Sequence, residues 1–154
     1  MSLNLRRVVT GHDEQGRAIV AIDEICSNVI SRRPNHASCV VWSTGSFPAD
    51  NSAKVDGAKR NVATTDPGGT VFRVVQYEPG VAPRNHRTES LDYAVVLSGE
   101  IDMELEGSVV HLRAGDVLVQ RGTVHNWVNR GTRPCVIAFV LVAAKPMENL
   151  GAMG

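Results

Sequence analysis

The sequence of 154 residues lacks several features that would assign it to a familiar class. It has no excess charge, because its 16 lysines and arginines equal its 16 aspartates and glutamates. Neither a nucleic-acid partner nor an anionic membrane surface is therefore expected, since both require a basic face. No apolar run approaches the roughly 18 residues of a membrane-spanning helix. The N-terminus does not resemble a secretion signal.

Cysteine is scarce, and the motifs of several enzyme classes are missing. The three cysteines, Cys26, Cys39 and Cys135, are scattered and odd in number, which favours buried thiols in a reducing, cytoplasmic setting. There is no GxSxG motif, no cysteine beside a histidine motif and no phosphate-binding glycine loop. A serine or cysteine nucleophile and a nucleotide site are therefore not expected.

The first part of the chain contains few β-prone runs. Residues 5–22 predict a hairpin, because two β-prone segments flank a turn-forming stretch. Residues 31–38 are polar and contain a proline, so we expect a loop before a short strand at 39–43. Residues 44–70 predict a long ordered loop that either crosses the domain or reaches a partner subunit.

Alternating apolar residues dominate the chain from residue 71 onward. Val71, Arg73, Val75 and Tyr77 share one face of a strand, and residues 100–106 alternate in the manner of a half-buried antiparallel strand. Residues 134–142 are apolar on both faces, which predicts a central strand or a strand at a subunit interface.

Two stretches in this region each carry one histidine, His86 and His125. The segment between them reads as a hairpin, which can bring the two histidines close together. Two imidazoles with a nearby carboxylate, here Asp92, have the composition of a metal site.

These stretches resemble the two motifs of the cupins. In the first, Gly80 is followed by five residues and then His86, and Gly99 closes the motif. Thr88 stands where cupins usually have a second histidine, and Asp92 stands where they have a glutamate. In the second motif, the matching residues are Gly115, Gly122, His125 and Asn129, whereas Gln120 replaces a proline and the segment before Gly122 is one residue shorter.

The resemblance implies an all-β protein with a cupin jelly-roll β-barrel and an N-terminal β-hairpin extension. Residues 1–69 would pack on the barrel, residues 70–143 would form it, and residues 144–154 would be a flexible tail of the same domain. Cupins of this size are usually homodimers, so a homodimer is expected.

The resemblance also implies a site for a divalent transition metal, Fe, Mn, Ni or Zn, held by His86, Asp92 and His125. Open coordination positions would let such a metal act as a Lewis acid or activate a bound group. The alternative is that Thr88 and Asp92 mark a lost metal site, which would leave a polar pocket for a small molecule.

Five further residues are candidates for substrate binding. Arg73 can bind a substrate carboxylate in the barrel interior, or it can point outward into an ordinary salt bridge. Pocket residues are also expected among Thr88, Gln120, Trp127 and Phe139, although Gln120 fits a surface position and the two aromatic residues fit a core equally well. We expect Tyr93 in the core and His12, His36 and His111 on the surface. The expected function is that of a metal-binding enzyme with lyase, isomerase or dioxygenase chemistry on a small carboxylate-bearing metabolite, or that of a metal-free binding protein or sensor.

Overall fold

A computed structural model describes residues 3–148, and these residues form eleven β-strands and no helix. Residues 149–154 of the expected tail lie outside the described residues. The strands are β1 (Arg6–His12), β2 (Ala18–Ile25), β3 (Ile30–Arg33), β4 (His36–Thr44), β5 (Thr70–Tyr77), β6 (Ser90–Ser98), β7 (Glu100–Leu105), β8 (Val109–Arg113), β9 (Val117–Arg121), β10 (His125–Val128) and β11 (Cys135–Ala143). Within residues 3–148 there is accordingly no helix long and apolar enough to span a membrane.

The strands form two sheets that share one core, and a separate hairpin. The larger sheet has the order β3-β4-β5-β11-β6-β9, and the smaller has the order β10-β7-β8. Inward-facing residues of both sheets form one apolar cluster, which includes Val75, Ile101, Trp127 and Ile137. This architecture confirms the expected all-β jelly-roll barrel.

Strand β11 lies at the centre of the larger sheet, as one of the two sequence-based alternatives proposed. It pairs antiparallel with β5 on one side and with β6 on the other. Ile137, Phe139 and Leu141 point into the core, and the alternate residues lie on the outer face. The central position of β11 explains why its sequence is apolar on both faces.

Strand β6 differs from expectation at Tyr93. Ser90, Asp92, Ala94 and Val96 face the interior, whereas Tyr93 is 48% exposed on the outer face. Tyr93 is therefore not a core residue, because no other part of the described chain covers this region of the sheet.

The polar segment 31–38 is not the loop that its composition predicted. Ile30–Arg33 forms a strand that pairs with β4, and β4 begins at His36. Pro34 and Asn35 make the turn between them, with Asn35 at a φ of 62°. The apolar pattern is missing here because several of these side chains face a polar cavity.

The N-terminal hairpin, expected at residues 5–22, is formed by β1 and β2. Its base is held to the barrel by Arg7, whose side chain is 4% exposed and pairs with Asp56 at 2.6 Å and with Glu24 at 2.8 Å. Because Asp56 lies in the segment between β4 and β5, the same ion pair fixes this long loop against its own barrel.

A second apolar cluster joins the N-terminal segment to the outer face of the larger sheet. It contains Leu3, Cys26, Cys39 and Val74. All three cysteines are buried and unpaired, as expected. Burial raises the pKa of the Cys135 thiol to about 12, so this thiol is unreactive at neutral pH.

Gly99 has a structural role in the first motif. It joins β6 to β7 with a φ of 75°, and a side chain there would collide with the carbonyl of Pro134. Only glycine fits both the backbone angle and the close approach.

Candidate functional site

His86 and His125 lie opposite each other and are joined through their backbones. The amide of His86 donates to the carbonyl of His125 at 3.2 Å, and the amide of His125 donates to the carbonyl of His86 at 3.0 Å. The centroids of the two imidazole rings are 4.6 Å apart. This antiparallel bridge therefore places both rings side by side on one wall of the barrel.

The hydrogen bonds of the two rings define which nitrogen is free. Nδ1 of His125 lies 2.9 Å from the carbonyl of Thr123, and Nδ1 of His86 lies 3.3 Å from the carbonyl of Arg84. Because a carbonyl only accepts, Nδ1 carries the proton and Nε2 carries the lone pair. Burial lowers the pKa of His86 to about 4, with His125 and Arg84 adding to the effect, and burial also lowers the pKa of His125. Both rings are therefore neutral at pH 7.

Asp92 is buried beside these histidines but is bonded to other residues. Its Oδ1 accepts from the hydroxyl of Ser90 at 2.6 Å, and its Oδ2 accepts from Nε2 of Gln120 at 2.9 Å. The hydroxyl of Ser90 also lies 2.6 Å from that of Thr88. Within residues 3–148 no three side chains of His, Cys, Asp or Glu form a group that could hold a metal ion.

Gln120 connects Asp92 to His125. Its strand, β9, pairs with β6 so that Gln120 stands directly across from Asp92. Its Nε2 makes a long contact of 3.4 Å with Nε2 of His125. Its Oε1 is buried and has no hydrogen-bond partner in the described structure, which leaves it as an acceptor for a ligand.

All eight site residues expected from the sequence line one cavity of about 300 Å³. They are Arg73, His86, Thr88, Asp92, Gln120, His125, Trp127 and Phe139. Trp127 and Phe139 belong both to the cavity wall and to the apolar core, with ring centroids 5.9 Å apart in an edge-to-face arrangement. Both sequence-based alternatives, pocket and core, therefore apply to these two residues.

Arg73 points into the barrel and not into a surface salt bridge. Its Nη2 donates to the carbonyls of Ala63 at 2.7 Å and Thr64 at 3.2 Å, while its Nε is buried without a partner in the described structure. Thr64 itself lines the cavity. Arg73 thus ties the loop between β4 and β5 to the cavity wall.

Nine cavity residues were not among the expected site residues: Arg32, Arg33, His36, Ser38, Thr64, Val75, Tyr77, Arg84 and Leu141. The expectation that His36 lies on the surface was wrong, because it is half-buried at the cavity. Burial lowers the pKa of His36 to about 4, and Arg33, Arg84, Arg73 and Arg32 lower it further through their charges. A usable signal was the alternation of His36 and Ser38 directly after the turn-forming residues Pro34 and Asn35.

With this geometry in view, comparison with known proteins identifies the family. A family model described as "Cupin domain" matches residues 73–142. "Phomopsin biosynthesis cluster protein C'" of Diaporthe leptostromiformis is 37% identical over 92% of this chain and 80% of that protein. "Cupin-domain-containing oxidoreductase fogC" of Aspergillus ruber is 36% identical over 88% of this chain and 71% of that protein. The chain belongs to the cupin family.

Solved structures support the fold. The cupin domain of Schizosaccharomyces pombe Cnp3 matches with a TM-score of 0.55 at 8% identity, over 90% of this chain and 87% of that one. KdgF from Halomonas sp. matches with a TM-score of 0.52 at 19% identity, over 74% of this chain and 86% of that one. At such low identity these similarities concern the fold and not the activity.

Proposed function

We propose that this cupin is an enzyme that holds a divalent transition metal between His86 and His125. Its substrate would be a small carboxylate-bearing metabolite bound in the same cavity. The single observation that supports this most is the pair of adjacent, neutral imidazoles on the wall of one cavity, whose Nε2 lone pairs have no contact closer than the 3.4 Å from His125 to Gln120. Neutral imidazole is a preferred ligand of Fe, Mn, Ni and Zn ions.

The donor set fits such a metal at the histidines and not at Asp92. Both Nδ1–H groups are held by carbonyls, an arrangement that commonly orients metal-binding histidines. Asp92 instead accepts hydrogen bonds from Ser90 and Gln120, so we revise its role from ligand to a residue that orients Gln120. A metal bound here would supply Lewis-acid activation of a coordinated group.

The other cavity residues would bind and orient the substrate. Oε1 of Gln120 would accept a hydrogen bond from a substrate hydroxyl or a bound water. Arg73 would neutralise a substrate carboxylate, since guanidinium matches carboxylate geometry. Trp127 and Phe139 would exclude water from the reacting atoms. Lyase, isomerase and dioxygenase chemistry all suit this arrangement, and relatives named as oxidoreductases favour a redox reaction.

Metal analysis of protein purified without an affinity tag tests this proposal. We expect about one transition-metal ion per chain in the wild type. His125→Gln should lose at least about 100-fold in metal affinity, because even residues that only orient metal ligands cost 10–100-fold when removed. His12→Gln, at an exposed histidine in β1, serves as the control and should keep the wild-type metal content. Equal metal contents in all three proteins would contradict the proposal.

A second candidate is a metal-free protein that binds or senses a small molecule. The bonding of Asp92 favours it, because the described residues then offer only two metal ligands of the usual types. In this case the wild type would hold no metal after purification or after addition of Fe(II), Mn(II), Ni(II) or Zn(II). Thr88→His restores a histidine where cupins usually have one. A gain of metal affinity in this variant would indicate a weakened metal site, and no gain would indicate that no metal site exists.

A further inference from the structure

Four arginines line the cavity without carboxylate partners. Arg32, Arg33, Arg73 and Arg84 all contribute to its lining, and within residues 3–148 none of them forms an ion pair with an aspartate or glutamate. The cavity contains one carboxylate, Asp92, and that group is bonded to Ser90 and Gln120. Four arginines against one aspartate give the lining about three positive charges in excess.

This concentration of like charge is unfavourable in the protein alone. Burial lowers the pKa of Arg73, and the charges of Arg32 and Arg84 lower it further. Burial also lowers the pKa of Arg33, and the charge of Arg84 adds to that effect. A partly buried cation normally needs a hydrogen-bonded anion to offset the loss of water. Among residues 3–148, no side chain supplies that anion to Arg33 or Arg73.

Two of the four arginine side chains are nevertheless held in place by backbone carbonyls. Arg33 donates from Nη1 to the carbonyl of Ala82 at 3.3 Å, and Arg73 donates to the carbonyl of Ala63 at 2.7 Å. At Arg84 the backbone is fixed, because its amide donates to Oδ1 of Asn126 at 2.8 Å, while its side chain is exposed. A site whose cations are positioned before binding loses less ordering entropy when a ligand arrives.

We propose that the natural ligand of this cavity is a small organic dianion with two separated anionic groups, most simply a dicarboxylate. The arginines come from three separate segments, β3, β5 and the stretch before His86, so their charges are spread around the mouth. One carboxylate can bind one or two guanidinium groups bidentately, which leaves cations for a second. The cavity volume of about 300 Å³ suits a small ligand.

This inference deepens the proposed function, because it names a substrate class for the same cavity. It also assigns a role to β3, which lies outside the family-matched residues 73–142. Arg32 and Arg33 would make substrate choice a property of the N-terminal part of the chain.

Calorimetric titration of the full-length protein tests the proposal. The probes are succinate and glutarate, butyrate as a monoanion of matched length, and inorganic phosphate as a compact anion, all at one ionic strength. We expect succinate or glutarate to bind at least about tenfold more tightly than butyrate, because the second carboxylate adds charge-assisted hydrogen bonds to a guanidinium group. Both dicarboxylates should also bind more tightly than phosphate.

Two cavity variants and one control variant test whether the dicarboxylate binds in the cavity. Arg33→Gln and Arg84→Gln should each weaken dicarboxylate binding by about tenfold or more on the same grounds. Arg113→Gln, at an exposed arginine of β8 outside the cavity, should leave it unchanged. Thermal melting of each variant verifies that it is folded.

Several results would overturn the inference. Among the probes, these are equal affinities for succinate and butyrate, tighter binding of phosphate than of either dicarboxylate, or no binding at all. Among the variants, it is a loss of dicarboxylate affinity in Arg113→Gln equal to that in the two cavity variants. Titrations repeated after chelation separate this inference from the metal proposal. Dicarboxylate selectivity in protein that never binds metal supports the inference and contradicts the metal enzyme. A metal that depends on His125 in protein without dicarboxylate selectivity supports the metal enzyme and contradicts the inference.

Discussion

Where β6 and β9 pair, the two faces of the six-stranded sheet reverse the usual relation between polarity and burial. On the inner face of β6 and β9, Asp92 and Gln120 are buried and hydrogen-bonded to each other. On the outer face of the same strands, Tyr93, Val117 and Val119 are exposed, Val117 by 74%. The usual pattern for a sheet places apolar residues inside and polar residues in water.

The comparison indicates what each face requires. The inner polar residues satisfy one another only in part, because Oε1 of Gln120 and Nε of Arg73 have no partner within the described structure. The outer residues Tyr93 and Val119 stand directly across from each other, as do Val95 and Val117, and they form a continuous apolar surface. We infer that the inner face requires a ligand, and we propose that the outer face requires a second copy of the chain.

The largest effect is expected on the outer face. Val119→Lys places a charge in the centre of the apolar surface, so it should raise the dissociation constant of the proposed homodimer by about 30-fold or more, as at interface hot spots. Sedimentation velocity over a concentration series measures this. Val109→Lys is the matched control, because Val109 is also exposed but lies in β8 of the other sheet. A wild type that is monomeric at micromolar concentration would contradict the assignment of the outer face.

A pH effect is expected at the mouth of the inner face. The folded protein holds His36 neutral down to a pKa of about 4, while an unfolded chain protonates it near 6.5. The unfolded state therefore binds more protons in this window, and stability should fall as the pH decreases from 6.5 to 4, with His36 contributing about 1–2 kcal/mol because its partial exposure screens the effect. Urea unfolding of wild type and His36→Gln at both pH values measures the difference. An equal loss in the two proteins would show that His36 does not carry the effect.

The buried carboxylate on the inner face comes next. Asp92→Asn keeps the shape but removes the charged acceptor of Gln120, so we expect the free energy of unfolding to decrease by about 1–3 kcal/mol. Metal affinity should change far less than in His125→Gln, because Asp92 reaches His125 only through Gln120. Chemical denaturation and metal titration on the same samples measure both. A loss of metal equal to that of His125→Gln would restore Asp92 as a ligand.

The smallest effect is expected at Thr88. Its hydroxyl contacts that of Ser90, which still donates to Asp92 when Thr88 is changed. Thr88→Val should therefore cost about 0.5–1.5 kcal/mol, the typical net contribution of one hydrogen bond. Ser90→Ala removes the bond to Asp92 as well and should cost more. The reverse order in thermal melting would mean that the hydroxyl chain does not run from Thr88 to Asp92.

The fold could be predicted largely from the sequence, because local rules determine it. The turn at Gly99 requires glycine, and the alternation in β7 and β11 identifies their buried faces. The cavity residues on β5, β6, β9 and β10 followed from the same alternation and from the two motifs.

The arginine-rich mouth could not be predicted in the same way. Arg32 and Arg33 lie in a polar segment whose pairing with β4 depends on tertiary contacts, and Arg84 lies in an irregular stretch. The bonding of Asp92 to Gln120 depends on the register between β6 and β9, which is fixed by the closed sheet and not by either strand alone. The alternation of side chains along each strand places Asp92 and Gln120 inside the barrel, but it does not determine the hydrogen-bond partner of either residue.

The backbone bridge between His86 and His125 has a consequence for how this protein can change. The spacing of the two rings is set by reciprocal amide–carbonyl bonds, which any two residues other than proline can make. Substitutions elsewhere in the cavity wall can therefore alter its shape and charge without moving the two imidazoles. The same pair of imidazoles can therefore be combined with different ligands over the course of evolution. It also makes the cavity a convenient starting point for redesign.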